Sequence, residues 1–135
     1  MARIHHIGIW TNDIDRLAGF YGRYFGTTAG PRYLNSAKGF ESAFLTLAGG
    51  AKLELMRTST LSLSRVAAGT QPFGLAHVAV EVGSTAAVDA LAGRLRTDGY
   101  PVLDGPRRTG DGYYEAVVLD PDGNRVEICA APANT

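Results

Sequence analysis

The chain has little sulfur, no net charge and no long apolar run. Its single cysteine, Cys129, cannot close an internal disulfide, so the fold must rest on its core, and this cysteine usage suits a reducing compartment. Thirteen basic residues balance thirteen acidic ones, which gives neither the basic surface that nucleic acid requires nor an attraction to anionic lipid. No apolar stretch approaches the ~20 residues that cross a bilayer, and the first residues lack a signal-like hydrophobic segment. The expectation is a cytoplasmic protein without nucleic-acid or membrane partners. Glycine is plentiful, at 17 of 135 residues, and suits a chain with many turns. The length suits one ordinary domain, or two small modules sharing a core.

The stretch Gly112 to Cys129, GYYEAVVLDPDGNRVEIC, has the pattern of a β-hairpin. An apolar run leads into the turn Asp120-Pro121-Asp122-Gly123, and the return strand alternates. Val126 and Ile128 fall on one face, Arg125, Glu127 and Cys129 on the other. A carboxylate held mid-strand among half-buried residues is unusual unless something pairs with it. The same shape occurs earlier, in GFESAFLTLAGGAKLELM (Gly39 to Met56), where Glu54 stands 73 residues before Glu127. Each hairpin follows a His-bearing strand, IHHIGIW with His6 and LAHVAVEV with His77, at an offset of 71.

These repeats predict an α+β fold of two tandem βαβββ modules, with a curved mixed sheet and helices on its outer face. The first module covers residues 1–57, a connection 58–74, the second module 75–130, and a tail 131–135 is expected to fray. In the first module a strand runs from about Arg3 to Trp10. A helix follows, capped by Asn12 or Asp13, with Ile14, Leu17, Phe20, Tyr21, Tyr24 and Phe25 as its apolar stripe and Gly26 as its stop. The connection has room for one helical turn around Leu61 to Val66. In the second module a strand runs over Leu75 to Val82 and a helix over Thr85 to Thr97, capped by Ser84, with Val88, Leu91, Ala92 and Leu95 buried.

Parity places His6, Glu54, His77 and Glu127 opposite the aliphatic residues that meet the helices. Two imidazoles and two carboxylates facing one space suit a divalent ion such as zinc, nickel, cobalt, iron or manganese, which accept mixed N/O ligation at about 2.0–2.2 Å. One His on a strand is more often a hydrogen-bonded core residue, and one Glu a solvated face. Both at matched places in two repeats favour a metal site. His5, out of parity, keeps the reading of a hydrogen-bonded structural histidine, and Cys129 that of a small buried residue.

HIGIW with the Asn12-Asp13-Ile14 helix start, LEL around Glu54, HVAV around His77 and DPDGNRVEI around Glu127 together resemble the vicinal oxygen chelate superfamily. That superfamily includes glyoxalase I, bleomycin-resistance proteins, extradiol dioxygenases and methylmalonyl-CoA epimerase. The resemblance runs from Ile4 to Ile128, and the DPDG-x-x-x-E segment is its most specific part. It implies paired modules, a homodimer and a metal-dependent lyase or isomerase of the glyoxalase type, with His6, Glu54, His77 and Glu127 as ligands. The metal would act as a Lewis acid on a small substrate with adjacent oxygens. Glu127, or Glu54 as its partner, would take and return a proton next to the carbonyl. A drug-sequestering protein of the bleomycin-resistance type is the alternative, and a ferrous dioxygenase a third.

Glutathione-dependent glyoxalases carry an arginine four residues after the first metal His and an asparagine four residues after the first metal Glu. Here those places hold Trp10 and Thr58. The expected substrate therefore has a more apolar end, lined by Trp10, Phe44, Met56 and Tyr114, while Lys52 and Arg125 are candidates to meet an anionic group.

Overall fold

The computed structural model describes residues 1–62, 67 and 70–132. The chain forms two compact units, Met1–Ser64 and Arg65–Thr135. The first contains β1 (His6–Trp10), α1 (Ile14–Phe25), β2 (Thr28–Ala29), β3 (Tyr33–Asn35), a 3₁₀ turn (Ser36–Lys38), β4 (Phe40–Thr46) and β5 (Lys52–Thr58). The second contains β6 (Val78–Glu81), α2 (Thr85–Thr97), β7 (Val102–Arg108), β8 (Tyr114–Leu119) and β9 (Arg125–Ala130). The fold is α+β, and the expected mixed sheet is two mixed sheets, one per unit. Their orders are β1-β5-β4-β2, with β3 also on β4, and β6-β9-β8-β7. In each, the first strand runs parallel to the last and the remaining pairs are antiparallel.

Both helices form where local chemistry directs them. The Asp13 carboxylate accepts from the Arg16 N–H at 2.9 Å, and Ser84 Oγ accepts from the Ala87 N–H at 3.1 Å, each satisfying an orphan donor of the first turn. Gly26 ends α1 in the left-handed region, φ 64°, where a side chain would be strained. One stripe of α1, Ile14, Leu17, Phe20, Tyr21 and Tyr24, is buried over Ala43, Leu45, Leu53 and Leu55 of β4 and β5. In the second unit Val88, Leu91, Ala92 and Leu95 of α2 cover Ala116, Val118, Val126 and Ile128 of β8 and β9. Each fully buried leucine in these layers contributes about 1.5–3 kcal/mol of transfer free energy.

Strand ends follow their partners. β1 starts at His6, not Arg3, because its neighbour β5 starts at Lys52, opposite His6. β6 likewise starts at Val78, opposite Val126, rather than at Leu75. The helical turn expected around Leu61 to Val66 lies largely outside the described residues, as does most of the 131–135 tail. No helix among the described residues is long and apolar enough to cross a membrane.

Candidate functional site

With aliphatic residues committed to the helices, the opposite face of each sheet carries the polar chemistry. In the first unit the parallel register sets Gly8 of β1 opposite Glu54 of β5, with His6 two residues earlier on the same face. In the second, Ala79 of β6 stands opposite Glu127 of β9, and His77 again precedes by two. The outcome is the same in both. His6 Nε2 lies 3.2 Å from Glu54 Oε2, and His77 Nε2 lies 3.3 Å from Glu127 Oε2. The imidazoles are 37% and 40% exposed and the carboxylates 19% and 17%, so the two pairs match in burial as well as spacing.

Two donors bound to one ion at about 2.1 Å, with angles near 90–110°, stand about 3.0–3.4 Å apart. Both pairs have that span, and a neutral imidazole with a carboxylate is a donor set that divalent first-row metals accept. The residues present therefore fit such an ion. Among the described residues no group of three or more His, Cys, Asp or Glu is gathered for a single ion, so what the geometry presents is two equivalent pairs.

Each pair has its own surroundings. His6 Nδ1 is 2.9 Å from His5 Nδ1, which orients the ring so that Nε2 meets Glu54. His5, read from sequence as a hydrogen-bonded histidine and not a ligand, thus supports the pair. Phe44, opposite Glu54 on β4, sets its ring edge-to-face on His6 at 5.3 Å, and the Lys52 ammonium lies 5.9 Å from the Phe44 centroid. Met56 lies over Gly8, its Cε 2.7 Å from where a β-carbon would stand, so a side chain at Gly8 would have to displace the end of Met56. Trp10, 49% exposed, meets Phe40 edge-on at 6.3 Å. Trp10, Phe44, Met56 and Lys52 therefore share the face that carries Glu54.

Tyr114 does not join them. It is one residue out of parity with Glu127 and lies on the helix side, where its hydroxyl donates to Asp89 Oδ1 of α2 at 2.6 Å. That bond is the main reason its phenol titrates above the ordinary range. Its role is to tie helix to sheet.

In the second unit the turn of the hairpin fixes the register. Asp120 accepts from the backbone N–H groups of Asp122 and Asn124, both at 2.9 Å, and from the Asn124 amide at 2.8 Å. Val117 then falls opposite Glu127, and Glu115 opposite Cys129. Glu115, which sequence reasoning missed, thereby comes beside Glu127. Burial, the Glu127 charge and a hydrogen bond between the two carboxyls push Glu115 above the usual carboxylate range. Burial first, then Glu127, Glu81 and Glu115, raise the Cys129 thiol, which keeps it protonated and suits the small buried residue expected.

A raised carboxyl binds its proton more tightly folded than unfolded, so its contribution to stability is full at low pH and lost as pH rises through the folded value. Metal-free Glu115→Gln is accordingly expected to melt above the parent at pH 7, with the gap closing toward about pH 4. Thermal denaturation at both pH values decides this, and an equal or lower Tm at pH 7 contradicts it.

A cavity of about 530 Å³ opens beside His77, lined also by Gln71, Pro72, Leu75, Leu119, Asn124 and Arg125. Sequence reasoning singled out only Arg125 among these. Its other walls come from the segment before β6, the end of β8 and the β8–β9 turn, which only the folded chain brings together.

The model of the Glyoxalase/Bleomycin resistance protein/Dioxygenase superfamily matches residues 3–128. No curated protein sequence matches the chain. Among solved structures it is similar to a glyoxylase/bleomycin resistance protein/dioxygenase domain from Frankia sp. EAN1pec, with a TM-score of 0.80 and 18% identity over 97% of this chain and 98% of that one. The trypanothione-dependent glyoxalase I of Leishmania major gives 0.77 and 22%, over 96% and 87%. The fosfomycin resistance protein FosX of Listeria monocytogenes, complexed with Mn(II) and sulfate, gives 0.71 and 15%, over 97% and 93%. At these identities the likeness is one of fold.

Proposed function

The chain belongs to the glyoxalase/bleomycin resistance protein/dioxygenase superfamily, and on that premise we propose that it is a divalent-metal-dependent lyase or isomerase of the glyoxalase type. The observation that carries the proposal is the duplicated His–Glu pair, with donor separations of 3.2 and 3.3 Å. Packing does not call for two half-buried carboxylates, each against an imidazole, at equivalent places in two sheets. In this reading His6, Glu54, His77 and Glu127 hold one ion, the two pairs coming from one chain or from two copies. A divalent ion held there supplies a Lewis acid for a carbonyl, zinc, nickel, cobalt, iron and manganese all suiting the donors.

Glu127 removes a proton from the carbon next to the substrate carbonyl and returns it. Glu115 supports this choice, because a second carboxyl hydrogen-bonded to Glu127 gives the proton somewhere to pass. The equivalent place beside Glu54 is held by Ser42, opposite Met56. Trp10, Phe44 and Met56 supply an apolar wall on the Glu54 face. The proposal includes a homodimer, supported by apolar side chains left in solvent: Leu34 is 64% exposed and Phe73 fully so.

Elemental analysis of freshly purified protein, with light scattering, tests the reading. The expected result is about one divalent ion per chain, in a particle of twice the 14.3 kDa chain mass. Protein that binds an aromatic drug while taking up no metal would instead make it a sequestering protein.

A further inference from the structure

We propose that the cavity beside His77 is a subsite for a single carboxylate of the substrate, anchored by Arg125. This deepens the function proposed above, placing a monoanionic acid group away from the adjacent oxygens that react.

Three observations carry it. Arg125, first residue of β9, is half-buried in the lining, and no ion pair or hydrogen bond engages its guanidinium among the described residues. A half-buried guanidinium with no carboxylate beside it in a concave site is available to an anion from outside. Next, the polar side chains around it are all uncharged or imidazole, the Thr70 hydroxyl, the amides of Gln71 and Asn124 and the ring of His77, with Pro72 and Leu75 as apolar wall. Amides add donors without adding charge. Last, the cavity shares His77 with the His77–Glu127 pair, so an acid held by Arg125 presents the rest of its skeleton to that pair.

Charge selects carboxylate over phosphate. One guanidinium matches one negative charge, whereas Glu81, Glu115 and Glu127 lie on the sheet face that Arg125 shares, and a dianion would meet their repulsion. The comparison between repeats favours Arg125 over Lys52. Lys52 occupies the equivalent place beside His6, but its ammonium lies near the Phe44 ring. The volume, about 530 Å³, is within the ordinary range for small-molecule sites.

Binding to the full-length protein in chelator, followed by NMR chemical shifts, tests the subsite apart from any metal. The probes are phenylacetate, the neutral phenylacetamide and phenyl phosphate. Phenylacetate is expected to bind best and to shift resonances of Arg125 and Asn124. Arg125→Gln should weaken it about tenfold or more while leaving phenylacetamide unchanged. Arg125→Lys should recover part of the loss, and Lys52→Gln should lose nothing. Equal binding of acid and amide, tighter binding of the phosphate, or equal losses in Arg125→Gln and Lys52→Gln would each overturn the proposal. If the subsite survives but the purified protein holds no metal, only the catalytic reading fails.

Discussion

Glu127→Gln is expected to lower proton exchange by about 10²–10⁴-fold, the usual contribution of a positioned general base. The substitution keeps the size of the side chain and its place on β9, where Val126 and Ile128 hold the strand against the core. It removes the basic oxygen and nothing from the helix side of the sheet. The measurement is NMR-monitored deuterium uptake into 2-hydroxyacetophenone, which carries a hydroxyl and a carbonyl on adjacent carbons, at saturating divalent metal. Glu54→Gln under the same conditions should lose less, because Glu54 has a serine rather than a second carboxyl at the place corresponding to Glu115. A larger loss in Glu54→Gln would exchange the two roles. Exchange at wild-type rate in both variants would remove the carboxylates from the chemistry altogether.

The equivalence of Glu54 and Glu127 was legible from sequence for a physical reason. A strand fixes side-chain direction with period two, so the alternation around each glutamate reveals its face, and the repeated spacing reveals its partner histidine. Helix ends were legible as well. Asp13, Ser84 and Gly26 act on their own backbone within a few residues, so local chemistry determines them. The α+β architecture followed from these two kinds of signal.

What escaped depends on strand register and on how loops meet, except for Tyr114, whose face its own alternation gives. Glu115 reaches Glu127 only through the β8–β9 register, which Asp120 pins with its three accepted hydrogen bonds. The expected place of Tyr114 in the pocket wall fails on its parity with the buried Ala116 and Val118, which turns it toward α2. Gln71 and Asn124 come together at the cavity from segments more than fifty residues apart, and neither lies in a periodic run.

All four single variants, His6→Ala, Glu54→Gln, His77→Ala and Glu127→Gln, are expected to lower divalent-ion affinity, the histidine variants by more than about a hundredfold. Removing supporting residues around metal ligands already costs about 10–100-fold, so removing a ligand should cost more. The argument turns on the number of donors. One imidazole and one carboxylate 3.2–3.3 Å apart make a weak two-donor site, and four donors make a tight one, so each loss from a shared set degrades the whole. Calorimetric titration with Zn(II) and Mn(II) distinguishes the arrangements. Losses in all four variants, with one ion per chain, mean that a first-unit pair and a second-unit pair serve the same ion. Losses confined to His77→Ala and Glu127→Gln would restrict the ion to the second unit and leave His6 and Glu54 as a hydrogen-bonded pair. Because each variant removes a side chain from a face that carries no helix, melting temperatures in chelator should stay close to the parent, and a broad fall in Tm would mark the losses as unfolding instead.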